Sequence, residues 1–322
     1  MIGKVPPDVL REQILEKTGT KDDDVLLGPT YGEDTAAIDL GDRILVINAD
    51  PLSLAAEHVG TLGVHVACND VAASGARPRW LTNTMFLHDD DPAILDTITT
   101  QMDRAATSLG VAIVGGHAEY HDGLERPLLS LTALGVTDRY VSSGGGKPGH
   151  AVVITGTAGI EGTAILASDF ARDLHAAGIE AATIDRAKTF IDRISVVNAG
   201  VRLGEQASGM HDPTEGGVLA GLVEMANATG CRFEIDPMAI PVAPETRELC
   251  DVMEVDPLVI FGSGALLATI DPDALENIRP VLADSGIDVT RIGTVTDGAT
   301  GVQLGDEWAT EAPSDDLYDL WA

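Results

Sequence analysis

The chain is short of aromatic residues, of basic residues and of cysteine, and each shortage narrows what it can be. Phe, Trp and Tyr make up 4% of 322 residues, against 44% for all hydrophobic types, so its cores must be built mainly from Val, Leu, Ile and Ala. Only 20 Lys and Arg face 51 Asp and Glu, a formal net charge of -31. With no basic cluster to neutralise a phosphate backbone, nucleic acid is disfavoured as a partner. Three cysteines, Cys68, Cys231 and Cys250, are odd in number and lack metal-ligand spacing, which argues against a disulfide framework or a zinc site; Cys68 reads as a small buried filler. No apolar run approaches the roughly 18 residues that span a bilayer. The N-terminus MIGKVPPDVL has no basic region followed by an apolar one, so the expectation is a cytoplasmic protein without a membrane partner. Acidic side chains are scattered instead of gathered in a tail, so disorder does not explain them. They suit a halophile cytosol, because the screening length falls to about 3 Å at molar salt.

The length suggests about two domains, each able to bury a core. The clearest boundary is SSGGGKPG (142–149), read as a flexible linker between an N-terminal domain (1–141) and a C-terminal domain (150–322). A P-loop is rejected there, since Lys147 is followed by Pro instead of Ser or Thr. In the first half, strands at 35–40 and 43–49 flank a Gly41-Asp42 turn, a strong hairpin signal. The outer ends of such a hairpin are adjacent, so Asp34 and Asp50 can share one ion. A strand at 80–87, an amphipathic helix at 92–109, a short buried strand at 111–114 and another strand near 127–136 complete the domain. The second half opens with a strand at 151–155 and a glycine-spaced turn, GTAGIEG. Helical periodicity follows at 184–204, 216–229 and 272–283, alternating with strands. The fold class is α+β, in two domains.

Chemistry concentrates in five segments. HVACNDVAASGARP (65–78) is a small, apolar helix interrupted by Asn69 and Asp70, and a buried carboxylate is costly without a cation or several donors. GEDTAAI (32–38), NADPLS (48–53), GGHAEY (115–120) and HDPTEGG (211–217) each place Asp, Glu or His beside Gly or a helix start, where backbone N–H groups can meet phosphate. Thr214 is a reasonable N-cap for the helix after it. His58, His65, His121 and His211 read as surface or satisfied core residues. Asn198 reads as helix packing, and Arg139 as an exposed strand-end charge or a phosphate contact.

In order, these motifs resemble the superfamily of aminoimidazole ribonucleotide synthetase, selenophosphate synthetase, thiamine-monophosphate kinase and the hydrogenase-maturation carbamoyl dehydratase. The likeness covers nearly the whole chain. It is closest to the hydrogenase-maturation branch in GHAVVITGTAGIEGTAIL (149–166), DPTEGGVLAGLVEMA (212–226) and the run 235–257. The resemblance implies ATP bound between the domains, with Asp34, Asp50, Asp70 and Asp212 as metal residues for Mg2+. Gly32, Asp34, Asn69, Gly115, Gly116, Thr214, Gly216 and Gly217 are the nucleotide positions, and His117 or Glu119 the base or polarising group. It also implies a homodimer whose N-terminal sheets join in a barrel, an α/β sandwich-like C-terminal domain, and ATP-dependent activation of an oxygen of a small substrate. The alternatives are a small-molecule kinase like thiamine-monophosphate kinase and a catalytically silent ATP-binding partner protein. Three departures stand out. The branch ends in a carbamoyl-carrying cysteine where this chain ends DDLYDLWA; His117 stands where relatives commonly have a carboxylate; and Glu215 stands where the branch tends to have Arg.

Overall fold

The computed structural model describes residues 5–52 and 58–321; Ser53, the last residue of the NADPLS segment, lies outside them. The first sheet is built from β1 (Val25–Leu27), β2 (Thr35–Asp39), β3 (Ile44–Leu52), β4 (Arg77–Leu87), β5 (Ala112–Tyr120) and β6 (Leu128–Thr137), in the order β1-β2-β3-β6-β4-β5. The β2–β3 hairpin closes on Gly41-Asp42: Leu40 N–H donates to the Arg43 carbonyl at 2.8 Å, and Gly41 takes a φ of 94° that favours glycine. After a short first helix, α1 (Pro7–Leu10), the helices α2 (Val59–Ala73) and α3 (Pro92–Leu109) cover one face of the sheet. Val64, Cys68 and Val71 of α2 and Met102 of α3 meet Leu81, Leu129 and Leu131 in a core whose fully buried members include no aromatic residue. Cys68 is thus the filler its neighbours suggested.

The second sheet contains β7 (Ala151–Thr155), β8 (Gly209–His211), β9 (Arg232–Ile235), β10 (Leu266–Ile270), β11 (Val289–Thr296), β12 (Gly301–Leu304) and β13 (Glu307–Ala309), in the order β13-β12-β9-β11-β7-β10-β8. Its helices are α4 (Ile160–Asp169), α5 (Ala171–Ala176), α6 (Ala181–Lys188), α7 (Val197–Leu203), α8 (Gly217–Thr229), α9 (Pro244–Met253), α10 (Pro272–Ala283) and α11 (Leu317–Leu320). Strand β7 is buried on both sides, and its period of two divides the core. Val153 packs with α7 and α10, whereas Val152 and Ile154 pack with α8. Among the described residues no helix is long and apolar enough to cross a membrane.

Three local expectations need correction. The glycine-rich connection is packed instead of loose: a Cβ on Gly145 would lie 1.7 Å from the Ser208 carbonyl oxygen, and one on Gly144 would lie 2.7 Å from that of Ala228. Its glycines serve close backbone approach. The strand expected to be short and buried at 111–114 runs on through Gly115 and Gly116 as β5; Val111 before it is buried, but every residue of β5 itself is exposed at the sheet edge. The helix expected over 184–204 breaks between α6 and α7. There the Asn69 side chain donates to the Ile194 carbonyl at 2.8 Å and accepts from Val196 N–H at 2.9 Å, taking backbone groups that a continuous helix would use. Helix α7 crosses α2 so closely that a Cβ on Gly200 would sit 2.4 Å from the Ala72 carbonyl oxygen. Small residues and one asparagine therefore lock the halves together at the level of Asp70.

Candidate active site

Both domains supply the carboxylates at their seam. Asp34 precedes β2, Asp70 lies near the end of α2 and Asp212 follows β8, and each offers an oxygen within 4.8 Å of the others. The register Thr35↔Asn48 sets Asp34 beside the stretch of β3 that carries Asp50, and Asp50 is close enough to bear on both Asp70 and Asp212. Three of the four metal candidates thus share the 4.8 Å grouping, and Asp50 stands beside it. Burial first, then Asp212, Asp50 and Asp34, hold the Asp70 carboxyl well above the usual carboxylate range. Burial likewise pushes Asp212 up to about 7; His211 lowers it, but Asp34 and Asp50 raise it. The Asn48 amide donates to Asp70, whereas Asp212 Oδ2 is buried with no hydrogen-bond partner. Adjacent acids, mutual repulsion and an orphaned oxygen match what a divalent cation needs from its oxygen donors.

Around this group lie residues to which the sequence patterns gave no role at the site. His211 is a buried, satisfied core residue, with Nδ1 3.5 Å from Asp34 Oδ2 and Nε2 3.0 Å from Glu224 Oε2. Burial would lower its pKa, but the hydrogen bond to Glu224 and the nearby Asp34 prevail and raise it to about 9. Glu224 carries the same sequence signal as Asp70, a carboxylate inside a small apolar helix. Glu33 accepts from Ser143 N–H at 3.0 and 3.1 Å, and burial raises its pKa. The Thr35 hydroxyl lies 2.7 Å from Ser74 Oγ and 3.0 Å from Tyr140 Oη. Together these contacts tie the GED segment to both domains.

Several expected nucleotide positions have other occupations. Both ends of the Asn69 amide are spent on Ile194 and Val196, so it positions α2. Gly216 N–H donates to Asp315 at 2.9 Å and Gly217 N–H to the Thr214 carbonyl at 3.1 Å. Neither is free for phosphate, and the glycines instead shape a turn at φ of 74° and 63°. Thr214 is not the N-cap; α8 starts later, capped by Gly216 without a side-chain bond. Gly32 keeps a positive φ of 81°, and a Cβ there would stand in ordinary contact, 3.6 Å, with the Glu224 carbonyl oxygen. Arg139 is not a bare surface charge, because its guanidinium donates to the Gly204 and Ala207 carbonyls. Gly115, Gly116, His117 and Glu119 lie elsewhere. Asp50 pairs with Leu131, Leu131 with Asn83 and Asn83 with Gly116, which puts three strand spacings, roughly 14 Å, between Asp50 and Gly116. His117 Nε2 and Glu119 Oε2 are 3.1 Å apart and exposed on the edge strand.

Residues 32–137 match the model of the AIR synthase related protein N-terminal domain, and residues 147–305 match that of its C-terminal domain. The chain belongs to the AIR synthase related family. Within the family it is 30% identical over 257 residues to the carbamoyl dehydratase HypE of Bradyrhizobium diazoefficiens, covering 76% of this chain and 71% of that one. The crystal structure of Escherichia coli HypE superposes with a TM-score of 0.72 at 26% identity, over 87% of this chain and 91% of that one. A second family fold, AaThiL complexed with AMPPCP and TMP, superposes with a TM-score of 0.74 at 21% identity, over 88% and 90% of the two chains. The mixed two-domain fold is therefore that of HypE and ThiL.

Proposed function

We propose that this ATP-dependent enzyme of the AIR synthase related family activates an amide, carbonyl or similar oxygen of a small substrate by phosphoryl transfer, using Mg2+ at the seam aspartates. One observation carries the reading: three carboxylates from two domains converge within 4.8 Å, and one of their oxygens is buried without a partner. At such spacing like charges repel strongly unless a cation joins them. Asp34, Asp70 and Asp212 would hold the metal, with Asp50 completing the acidic wall. When bound, magnesium neutralises phosphate oxygens as charge develops on them. Asn48 holds the Asp70 carboxylate in place, and His211, between Asp34 and Glu224, orients Asp34. Asn69 fixes α2, and Gly216 and Gly217 fix the turn beside Asp212, so the group is preorganised before ligand arrives. The carbamoyl dehydratase name of the relative and the AMPPCP in the ThiL complex support the reading.

A homodimer belongs to the same proposal. The β5 edge is exposed and carries Ile113, Val114 and Tyr120, which are 40%, 57% and 56% accessible. An unpaired edge of this kind suits a second copy, and pairing there would carry His117 and Glu119 toward the partner's seam. Mixing chains with the double substitution His117→Ala, Glu119→Gln and chains with Asp70→Asn tests this. If the pair serves the partner's site, roughly a quarter of the wild-type activity returns, as expected for random two-fold assembly; if no activity returns, the placement is wrong.

Crystals soaked with magnesium and a non-hydrolysable ATP analogue are expected to show the triphosphate at Asp34, Asp70 and Asp212. A nucleotide bound elsewhere ends the reading. With labelled ATP, phosphate freed as the substrate loses water indicates activation; phosphate kept on a released metabolite indicates a kinase.

A further inference from the structure

Glu33 and Thr35 flank Asp34, and both reach the connection between the two domains. Glu33 accepts from Ser143 N–H, and the Thr35 hydroxyl lies 3.0 Å from Tyr140 Oη. Thr35 also lies 2.7 Å from Ser74 Oγ, while Tyr140 Oη donates to Glu33 Oε2 at 3.5 Å. Ser74, Thr35, Tyr140 and Glu33 therefore form one chain, in which each hydroxyl can donate to the next group and a carboxylate ends the series. Ser74 and Thr35 are both buried, so little water competes for these bonds, and hydrogen bonds in series polarise one another. The Tyr140 ring packs on the core beneath the first sheet, and the next residue, Val141, donates its N–H to the Ser74 carbonyl at 3.1 Å. Ring and backbone together hold the phenol in place.

Both ends of this chain lead to the cation candidates of the N-terminal domain. Ser74 ends α2, and its N–H donates to the Asp70 carbonyl at 3.1 Å, one helical turn away. Thr35 directly follows Asp34 and pairs across the hairpin with Asn48, whose amide donates to Asp70. Asp70 and Asp212 are buried and fixed by their surroundings, whereas Asp34 is exposed. Its place is set by the residues on either side of it. A magnesium ion tolerates little displacement of its oxygen donors, so the supports of those neighbours bear on how well it is held. We propose that Tyr140 is a positioning residue for the divalent cation: its hydroxyl, shared between Thr35 and Glu33, holds Asp34 at the distance from Asp70 that lets both carboxylates reach one ion. The inference rests on the magnesium reading above and adds to it a residue that acts only through others.

Titration with manganese alone, followed by electron paramagnetic resonance in molar potassium chloride, tests the proposal, because at that salt loose attraction to the acidic surface is screened. Wild type is expected to bind the ion, and Asp70→Asn to lose most of that binding. Tyr140→Phe keeps the packed ring and should weaken binding about five- to tenfold, the size of one lost hydrogen bond. Thr35→Val should weaken it similarly, whereas Thr35→Ser, which keeps the hydroxyl, should retain most of the affinity. The Tyr140→Phe, Thr35→Val pair should cost little more than either change alone. A purely structural bond is represented by Thr246→Val, which removes one hydroxyl from the buried Thr163–Thr246 contact at 2.7 Å. That variant should bind manganese as wild type does. At saturating magnesium, ATP turnover by Tyr140→Phe should return to within about twofold of wild type, since only the hold on the cation is weakened. Where wild type binds through Asp70, an unchanged affinity in Tyr140→Phe, or an equal loss in Thr246→Val, overturns the positioning role alone. No binding by wild type, or binding untouched by Asp70→Asn, overturns the magnesium reading and this inference with it.

Discussion

Asp212 and Asp315 both adjoin the 213–217 turn, and burial pushes both up to about 7, yet they are held in opposite ways. Asp315 accepts from Gly216 N–H at 2.9 Å and from Leu317 N–H at 3.0 Å, fastening the C-terminal segment to the start of α8. Asp212 has a buried oxygen without a partner and stands among Asp34, Asp50 and Asp70. A raised pKa alone would rank the two alike. Their partners separate them: both oxygens of Asp315 are bonded within the protein, whereas one buried oxygen of Asp212 has no partner among the described residues, which suits the proposed cation.

The sharpest break of this comparison is substitution. Asp212→Asn is expected to cut ATP turnover on the order of a thousandfold while leaving the metal-free melting temperature unchanged or higher. Asp315→Asn should lower stability by about 1–3 kcal/mol, read by thermal melting. Equal losses of stability in the two variants would mean that the distinction is false.

Titration comes next in size. Because the folded value of Asp315, about 7, lies above its ordinary 3.8, the stability it contributes is fully present below 3.8 and is lost as pH rises through about 7. The loss is on the order of 3 kcal/mol. Melting temperatures should therefore fall between pH 5 and 8, and Asp315→Asn should flatten that fall. Glu161, buried and also pushed up to about 7, adds to the same slope.

Ligand linkage sharpens the contrast further. Magnesium with the ATP analogue, at a hundred times the dissociation constant, should add about 2.7 kcal/mol to wild type and to Asp315→Asn. It should add little to Asp212→Asn, as melting with and without ligand will show. The smallest effect concerns the surface around both residues. Raising potassium chloride from low to molar concentration should lift the melting temperature by several degrees, about 1–2 kcal/mol, through screening of the net charge. Equal melting at both salts would remove the halophilic reading.

Much of the site was legible because its signals are local. Asp70 interrupts a small apolar helix, and the Gly41-Asp42 turn implies that Asp34 and Asp50 meet at one end of a hairpin. Glu224 interrupts α8 as Asp70 interrupts α2, yet within the stretch 212–226 it was given no role of its own. Asn69 was legible as a residue of note but not as a clasp, since its partners, Ile194 and Val196, are backbone groups more than a hundred positions away. The free N–H groups expected at Gly216 and Gly217 are lost to Thr214 and to Asp315, one of them far along the chain. A glycine pattern shows where a turn is permitted and is silent about who accepts its hydrogen bonds.

By itself the amino-acid order determined the aliphatic cores, the two-part organisation, the hairpin that couples Asp34 to Asp50 and the acidic residues available for a cation, because periodicity, turn chemistry and composition act over a few residues. Only the tertiary structure decided that Asp212 joins Asp34 and Asp70 across the seam, that His211 lies between Asp34 and Glu224, and that His117 and Glu119 stand apart on a free edge. Those facts depend on which buried surfaces of two separate sheets come into contact, and distant packing of that kind leaves no periodic trace in the chain.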